Sequence, residues 1–189
     1  MKRITLTLVV LVAAICAMAQ EHLSFKGIPI EGSLTAFCQK LKEKGFTAIG
    51  SDNNTTIFTG DFTGRNATVG VIATDDGKNV FSVVVLFDSS KEWNNLVGTY
   101  DYYKDLYTRK YGEPAFSKES NPASSDSNIA LMGEVNEGRV VYCSTWDVVG
   151  GEIDLSIKKS TGIYEGMVVI RYRDSQNLEN KIKNDLDEI

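Results

Sequence analysis

The sequence predicts an α+β fold of two tandem units, each with one helix followed by an antiparallel four-strand meander, and a short C-terminal helix at the end. Three observations predict it. Apolar residues recur at helical spacing in two separated segments, apolar and polar residues alternate after each of them, and short turn-forming breaks interrupt the alternation. Short breaks favour antiparallel hairpins, and the helices are expected to cover one face of the sheet.

The first twenty residues, MKRITLTLVVLVAAICAMAQ, predict a cleaved export signal. Two basic residues precede an apolar run, and Ala17 and Ala19 occupy the small-residue positions that a signal peptidase requires before a cut. We therefore assign residues 1–19 to a signal peptide and expect a mature chain that starts at Gln20, in the periplasm or outside the cell. The run is too short for a membrane span, which needs about 20 apolar residues.

Removal of the leader leaves 170 residues, enough for one domain or for two small units that share a core. Two of the 20 basic residues leave with it, so 18 basic residues face 25 acidic ones, and the net charge falls from -5 to -7. So acidic a chain is a poor ligand for phosphate backbones, and no nucleic-acid partner is expected.

The first unit is assigned to residues 20–89. Its helix is expected from about Leu34 to Lys44, because Ser33 is a suitable N-cap and Gly45 a suitable left-handed stop. Four strands should follow, with breaks at Asp52-Asn53-Asn54, Thr63-Gly64 and Asp75-Asp76-Gly77.

The second unit is assigned to residues 90–174. A helix of about twenty residues, ended by Gly112 and Pro114, should precede three or four strands. Their breaks are expected at Asn136-Glu137-Gly138, Gly150-Gly151 and Thr161-Gly162. The polar stretch Ser117–Asn128 is interpreted as a slack connection, with a binding loop as the alternative. Residues 175–189 have a thin apolar stripe and predict a surface helix.

Two similar phrases suggest an internal repeat. GDFTGR at Gly60–Arg65 and GEVNEGR at Gly133–Arg139 are expected at the same hairpin of each unit, and both units end by passing from an apolar strand through Asp-Ser into a helix. Tight hairpins favour glycine because it adopts positive φ without steric cost. The recurring glycines therefore indicate turn geometry rather than an active site.

Two resemblances follow from these segments. HLSFKGIPIEGSLTAFCQKLKEKGF after a signal peptide, together with YTRKYGEP, resembles a group of uncharacterised small exported proteins of gut Bacteroidetes, which implies export and no particular activity. The tandem arrangement is similar to that of the secreted beta-lactamase inhibitor proteins. That likeness is one of arrangement alone, and a shared fold does not imply a shared function.

The sequence leaves two alternatives for the cysteines of the mature chain, a disulfide or two free thiols. Lipid attachment at Cys16 is disfavoured because Ile15 stands where the processing enzyme prefers a small residue. Cys38 and Cys143 remain in the mature chain, where a disulfide could persist after export. Free, buried thiols are favoured instead, because the strand pattern directs Cys143 away from its bulkier neighbours.

No catalytic, metal or cofactor motif is recognisable in the sequence. A triad would have to use His22, the one histidine, which lies near the mature start where chains are often loose. The cysteines and His22 lack the spacing of a zinc site. Asp75-Asp76-Gly77 and the acidic tail Asp185, Asp187 and Glu188 lack the alternating ligands of a calcium loop, and no Gly-rich phosphate loop occurs. No cofactor is therefore expected.

Aromatic residues are the one feature that suggests a binding surface. Most should be core, but Tyr102 and Tyr111 fall off the apolar stripe of the second helix and are the candidate binding residues. The favoured function is a non-enzymatic binding or inhibitory module of the cell envelope with a protein or ligand partner. The alternative is a histidine-independent hydrolase or lyase that uses carboxylates and tyrosines. An open sheet lined with exposed aromatics would favour binding, and a closed pocket with two facing carboxylates would favour an enzyme.

Overall fold

The structure is a computed structural model that describes residues 21–187 and 189. The expected signal peptide, its cut before Gln20 and the lipid-attachment question at Cys16 lie outside the described residues. Within them the α+β class is confirmed, with an eight-stranded antiparallel sheet, a two-stranded sheet and four helices.

The first half consists of a small hairpin, one helix and four strands. Their bounds are β1 Ser24–Phe25, β2 Ile28–Pro29, α1 Leu34–Glu43, β3 Thr47–Asp52, β4 Thr55–Phe62, β5 Arg65–Ala73 and β6 Val80–Leu86. The second half consists of a long helix, four strands, an inserted helix and the C-terminal helix. Their bounds are α2 Trp93–Tyr111, β7 Phe116–Ser120, α3 Asn128–Asn136, β8 Val141–Val148, β9 Gly151–Lys159, β10 Gly166–Asp174 and α4 Ser175–Asp187.

The two meanders share one sheet. Its strand order is β3-β4-β5-β6-β10-β9-β8-β7, so the last strand of each half lies at the centre. There Val85 pairs with Ile170, and Val83 pairs with Tyr172. Side chains alternate between the two faces of a strand, so these four residues point to the same face. All four are buried, which places the main core on that side.

Helices α1 and α2 pack on this core face. Ser33 caps α1 as expected, since its hydroxyl accepts a hydrogen bond of 3.3 Å from the amide of Ala36. Phe37 and Leu41 of α1 are buried against the first half. The longer α2 crosses β8, β9 and β10 and buries the side chains Trp93, Leu96, Tyr100, Tyr103 and Tyr107.

Helix α3 corrects the predicted strand pattern. The segment after Ser127 was expected to be a strand, but the Ser127 hydroxyl caps a helix by accepting from the amide of Ala130 at 3.4 Å. The side chain of Asn128 also accepts a 2.8 Å hydrogen bond from the amide of Trp93, which ties α3 to the start of α2. Local capping and burial of Met132 therefore outweigh the apolar run that predicted a strand.

The expectation that the two Gly-Arg phrases share one hairpin position is wrong. Gly60–Arg65 forms the β4–β5 hairpin, with positive φ at Thr63 and Gly64. Gly133–Arg139 instead ends α3 and leads into β8. The corresponding hairpin of the second half, between β8 and β9, turns at Gly150.

The polar stretch Ser117–Asn128 is also corrected in part. Its first residues belong to β7, which pairs with β8 from Phe116↔Thr145 to Ser120↔Val141 and forms an edge of the sheet. Only the rest of the stretch connects β7 to α3. Five polar or exposed residues therefore form a strand, because the neighbouring strand supplies their backbone partners.

Candidate ligand-binding site

A cleft lies between the β1–β2 hairpin, the last turns of α2 and the end of β8. It consists of two cavities. The one lined mainly by the rings of Phe62, Tyr103, Tyr107, Tyr111 and Tyr172 has a volume of about 320 Å³ and is called the inner cavity. The one lined by the β1–β2 hairpin and the end of β8 has a volume of about 590 Å³ and is called the outer cavity. The two cavities adjoin, because Lys26, Lys110, Tyr111 and Tyr172 line both of them. Such volumes lie within the range of small-molecule sites, toward its lower end for the inner cavity.

The hairpin is shaped to bring Lys26 to this cleft. Lys26 and Gly27 have φ of 50° and 77°, the pair of positive values that a tight two-residue hairpin turn requires. Phe25, just before the turn, is fully buried. Its ring stacks on Phe62 at 5.7 Å and meets the edge of Tyr172 at 5.2 Å. The buried ring anchors the hairpin and leaves the lysine at the rim.

Aromatic rings from α2 and β10 form the wall of the inner cavity. The hydroxyls of Tyr107 and Tyr172 hydrogen-bond to each other, and burial raises the pKa of both phenols. The hydroxyl of Tyr103 is paired with that of Thr63 at 2.7 Å. Since these hydroxyls already have partners, the wall presents mainly ring faces to the cavity.

The charges at the inner cavity are both positive. Lys26 donates to the backbone carbonyl of Asp61 at 2.9 Å, and its ammonium lies 5.2 Å from the centre of the Phe46 ring. The Lys110 ammonium lies 4.7 Å from the centre of the Tyr111 ring. Among residues 21–187, neither ammonium has a carboxylate within ion-pair distance.

The outer cavity is also bordered by negatively charged groups, in contrast to the inner cavity. Glu21 and Asp147 line it, and both are exposed. His22 also lines it, but its Nδ1 donates to Asp174 at 2.9 Å and its Nε2 lies 3.6 Å from a carboxylate oxygen of Glu31. The expectation of a loose His22 is therefore wrong: this side chain is held between two carboxylates, and it has a structural role.

The two predicted binding tyrosines are not brought together. Tyr111 is half-buried and lines both cavities. Tyr102 is 44% exposed on α2 and lines neither cavity; its ring lies 5.4 Å from the Arg65 guanidinium and edge-on to Tyr103. Sequence reasoning missed Lys26 and the whole hairpin, although Lys26-Gly27 between the apolar Phe25 and Ile28 is a recognisable turn signal.

The two cysteines of the described chain are free thiols; Cys38 is buried as expected, but Cys143 is half-buried. Cys38 is buried on α1, where burial raises its pKa, and it lies near Thr56 on the core face. Cys143 pairs with Ser156 in the sheet and points to the opposite face from Ser144, whose hydroxyl bonds to Tyr100 of α2. The two thiols therefore belong to different halves and different faces of the sheet, and no bond joins them.

Metal binding and membrane crossing are the other roles considered for residues 21–187. They hold no cluster of three or more His, Cys, Asp or Glu side chains suited to a metal ion. Asp76 instead stabilises its own turn: its carboxylate accepts from the Thr74 hydroxyl at 2.7 Å and from the amide of Lys78 at 3.0 Å. In the same part of the chain, no helix combines the length and hydropathy needed to cross a bilayer.

Comparison with known proteins gives no relative from which a role could be transferred. No family model, no curated protein and no solved structure matches the chain. The resemblances to exported Bacteroidetes proteins and to beta-lactamase inhibitor proteins stay predictions. The function of the cleft must therefore be argued from its own geometry.

Proposed function

We propose that this chain is an exported, non-enzymatic binding protein whose ligand occupies the cleft between the β1–β2 hairpin and α2. The observation that carries the proposal is that the two cavities adjoin, with Lys26, Lys110 and Tyr111 lining both of them. A preformed, largely aromatic cavity with a few convergent polar groups is typical of small-molecule sites. Export is proposed from the leader sequence.

Enzymatic use of this cleft has less support. A hydrolase built on two carboxylates needs them to face a common substrate. Glu21 and Asp147 are exposed at the outer cavity, and both ring nitrogens of His22 face carboxylates. An acidic pair on strand β9, Glu152 and Asp154, is bound by one guanidinium, that of Arg173.

The internal repeat is also proposed, on topology rather than on the two phrases. Each half supplies one helix and then four strands in meander order, and the two halves meet through β6 and β10. On this basis β3 to β6 correspond to β7 to β10, with α3 inserted between the first two strands of the second half. The cleft is lined by the second half, by the hairpin that precedes the first half, and by Phe62 and Thr63 at the β4–β5 turn of the first half.

A second candidate function uses the uncovered face of the sheet. The register places one row across all eight strands on the face opposite α1 and α2, with the members Thr47, Thr59, Thr68, Leu86, Val169, Ser156, Cys143 and Lys118. A neighbouring row ends at Phe116, which is 54% exposed. An open sheet of this size favours a protein partner, as in the binding module predicted from sequence.

A fragment screen by ligand-observed NMR tests the cleft. Leu106 lines the inner cavity, so Leu106→Trp should fill it and abolish the saturation-transfer signals of fragments that bind the wild-type protein. Ile163→Trp is the matched control, because it adds the same indole at a turn that is 75% exposed. Hits that survive Leu106→Trp, or an absence of hits in the wild-type protein, would contradict the proposal.

A further inference from the structure

We infer that the ligand is an amphiphile with one anionic group, held between Lys26 and Lys110, and with a flat apolar body in the inner cavity. The inference rests on the proposed function and adds the chemical class of the ligand. It follows from three features of the cleft. They are the hydrogen-bonded hydroxyls of its wall, the two lysines at its rim, whose ammonium groups have no carboxylate within ion-pair distance among residues 21–187, and the acidic residues farther out.

The wall favours an apolar body. One of the Tyr107 and Tyr172 hydroxyls donates to the other, and that of Tyr103 is paired with Thr63. A ligand with several hydroxyl or amide groups would lose hydration in this cavity and find few partners, which costs free energy for each unmatched group. An aromatic or aliphatic body instead packs against the ring faces and against Leu106.

The rim favours a negative charge. Lys26 and Lys110 line both cavities, which places two basic side chains where the cavities adjoin. Each contacts an aromatic ring, and neither has a carboxylate within ion-pair distance among residues 21–187. An anion between them would receive charge-assisted hydrogen bonds, which are stronger than neutral ones. Tyr111 lines both cavities as well.

The outer cavity limits the ligand to one charge. Glu21 and Asp147 line that cavity, so a second anionic group extending outward would meet like charges. Polyanions such as nucleotides are thereby disfavoured. The small volume of the inner cavity, about 320 Å³, further favours a body of one or two rings over a long polymer.

Calorimetric titration of the mature chain with three related probes tests the inference. The probes are 2-naphthoate, the neutral alcohol 2-naphthalenemethanol and the dianion 2,6-naphthalenedicarboxylate. We expect 2-naphthoate to bind about tenfold more tightly than the alcohol, and more tightly than the dianion, because only the monoanion matches both the rim and the outer cavity.

Lysine variants identify the charged contacts. Lys26→Met and Lys110→Met should each weaken 2-naphthoate binding about fivefold and leave binding of the alcohol unchanged. Lys40→Met, on the exposed side of α1, is the matched control and should change neither. Unchanged thermal unfolding of all three variants would show that the fold is intact.

The contrary outcomes separate the inference from the proposed function. Equal binding of the acid and the alcohol, or tighter binding of the dianion, would overturn the ligand class. If Leu106→Trp weakened the binding of these probes, the cleft would still be supported as the binding site. If none of the probes binds and the fragment screen yields no hits sensitive to Leu106→Trp, both the ligand class and the proposed function are wrong.

Discussion

Nδ1 of His22 donates a hydrogen bond of 2.9 Å to the carboxylate of Asp174, which stands 152 positions later in the sequence. The same carboxylate accepts from the amide of Leu23 at 3.0 Å and from the amide of Asn177 at 2.9 Å. It therefore fixes the start of the described chain to β10 and caps α4 at once. Asp174 is completely buried, so water cannot replace these contacts.

Asp174→Ala should lower the free energy of unfolding by about 2–4 kcal/mol, since a helix cap is lost and the buried amide of Leu23 is left without a partner. Urea denaturation measures the loss. Asp147→Ala removes an exposed carboxylate from β8 and should change the free energy by less than about 0.5 kcal/mol. Equal effects of the two substitutions would show that the buried carboxylate contributes no special stability.

The fold should unfold cooperatively in alkali. Burial raises the pKa of Tyr100 to about 12, against the opposing effect of its hydrogen bond to Ser144, and burial also raises the pKa of Tyr107 and Tyr172. An unfolded tyrosine ionises near pH 10, so stability is complete below about pH 10 and is lost as the pH rises toward 12. Phenolate absorbance and circular dichroism should therefore change together.

Two tyrosine variants check the cause of that alkaline transition. Tyr100→Phe should lose less stability than the wild-type protein between about pH 8 and pH 11, because one buried ionisable phenol is gone. Tyr164→Phe, at a position 45% exposed, should behave as the wild-type protein does. Gradual ionisation of all the tyrosines near pH 10 with an intact fold would contradict the prediction.

The carboxyl of Asp76, in the β5–β6 turn, should titrate at unusually low pH. The Thr74 hydroxyl, followed by the amide of Lys78, lowers the pKa of the exposed Asp76 carboxyl from 3.8 to about 2. Its contribution to stability is therefore present above about pH 4 and is lost as the pH falls through about 2. In a carboxyl-carbon NMR titration, Thr74→Val should raise the pKa of Asp76 toward 3.8, whereas Thr68→Val on β5 should not. An unchanged titration in Thr74→Val would exclude the hydroxyl as the cause.

Gly150→Ala should displace the segment that carries His22. Gly150 has a φ of 83°, and a β-carbon there would lie 2.3 Å from the carbonyl oxygen of Glu21 and 2.4 Å from the amide nitrogen of Leu23. Strain and collision together should cost about 2–4 kcal/mol of unfolding free energy. Gly138→Ala has a comparable φ of 69° with open space around it, so it isolates the conformational cost. Amide exchange at Leu23 should increase in Gly150→Ala alone.

Sequence periodicity predicted much of the sheet, most clearly at β5, where buried and less buried residues alternate along the strand between turn residues. The α1 cap at Ser33 and the breaks at Thr63-Gly64 and Asp75-Asp76-Gly77 appear as expected. Helix α3 was missed because its apolar residues show little helical periodicity, and its stability depends on a side-chain bond from Asn128 to the start of α2. Such a tertiary contact leaves no periodic signal.

The candidate site was less predictable than the fold. Tyr111 was identified because it departs from the apolar stripe of α2, but the same argument selected Tyr102, which faces Arg65 outside the cleft. Lys26 and Tyr172 reach the cleft from segments about 146 positions apart. Tertiary contacts bring these segments together, among them the packing of Phe25 against Phe62 of β4 and Tyr172 of β10. Charge and ring character can be read from sequence, but convergence of distant segments cannot.

Pairing of β6 with β10 has a consequence for the incomplete chain. The strand VFSVVVL of β6 contains no charge or proline, and its partner β10 follows some eighty residues later. Until β10 arrives, β6 is an open edge with the composition that promotes intermolecular strand pairing. Truncation before Gly166 should therefore yield an aggregating product rather than a stable half. The pairing that closes the sheet is non-local. The chain is therefore protected against self-association at β6 only after β10 has been made.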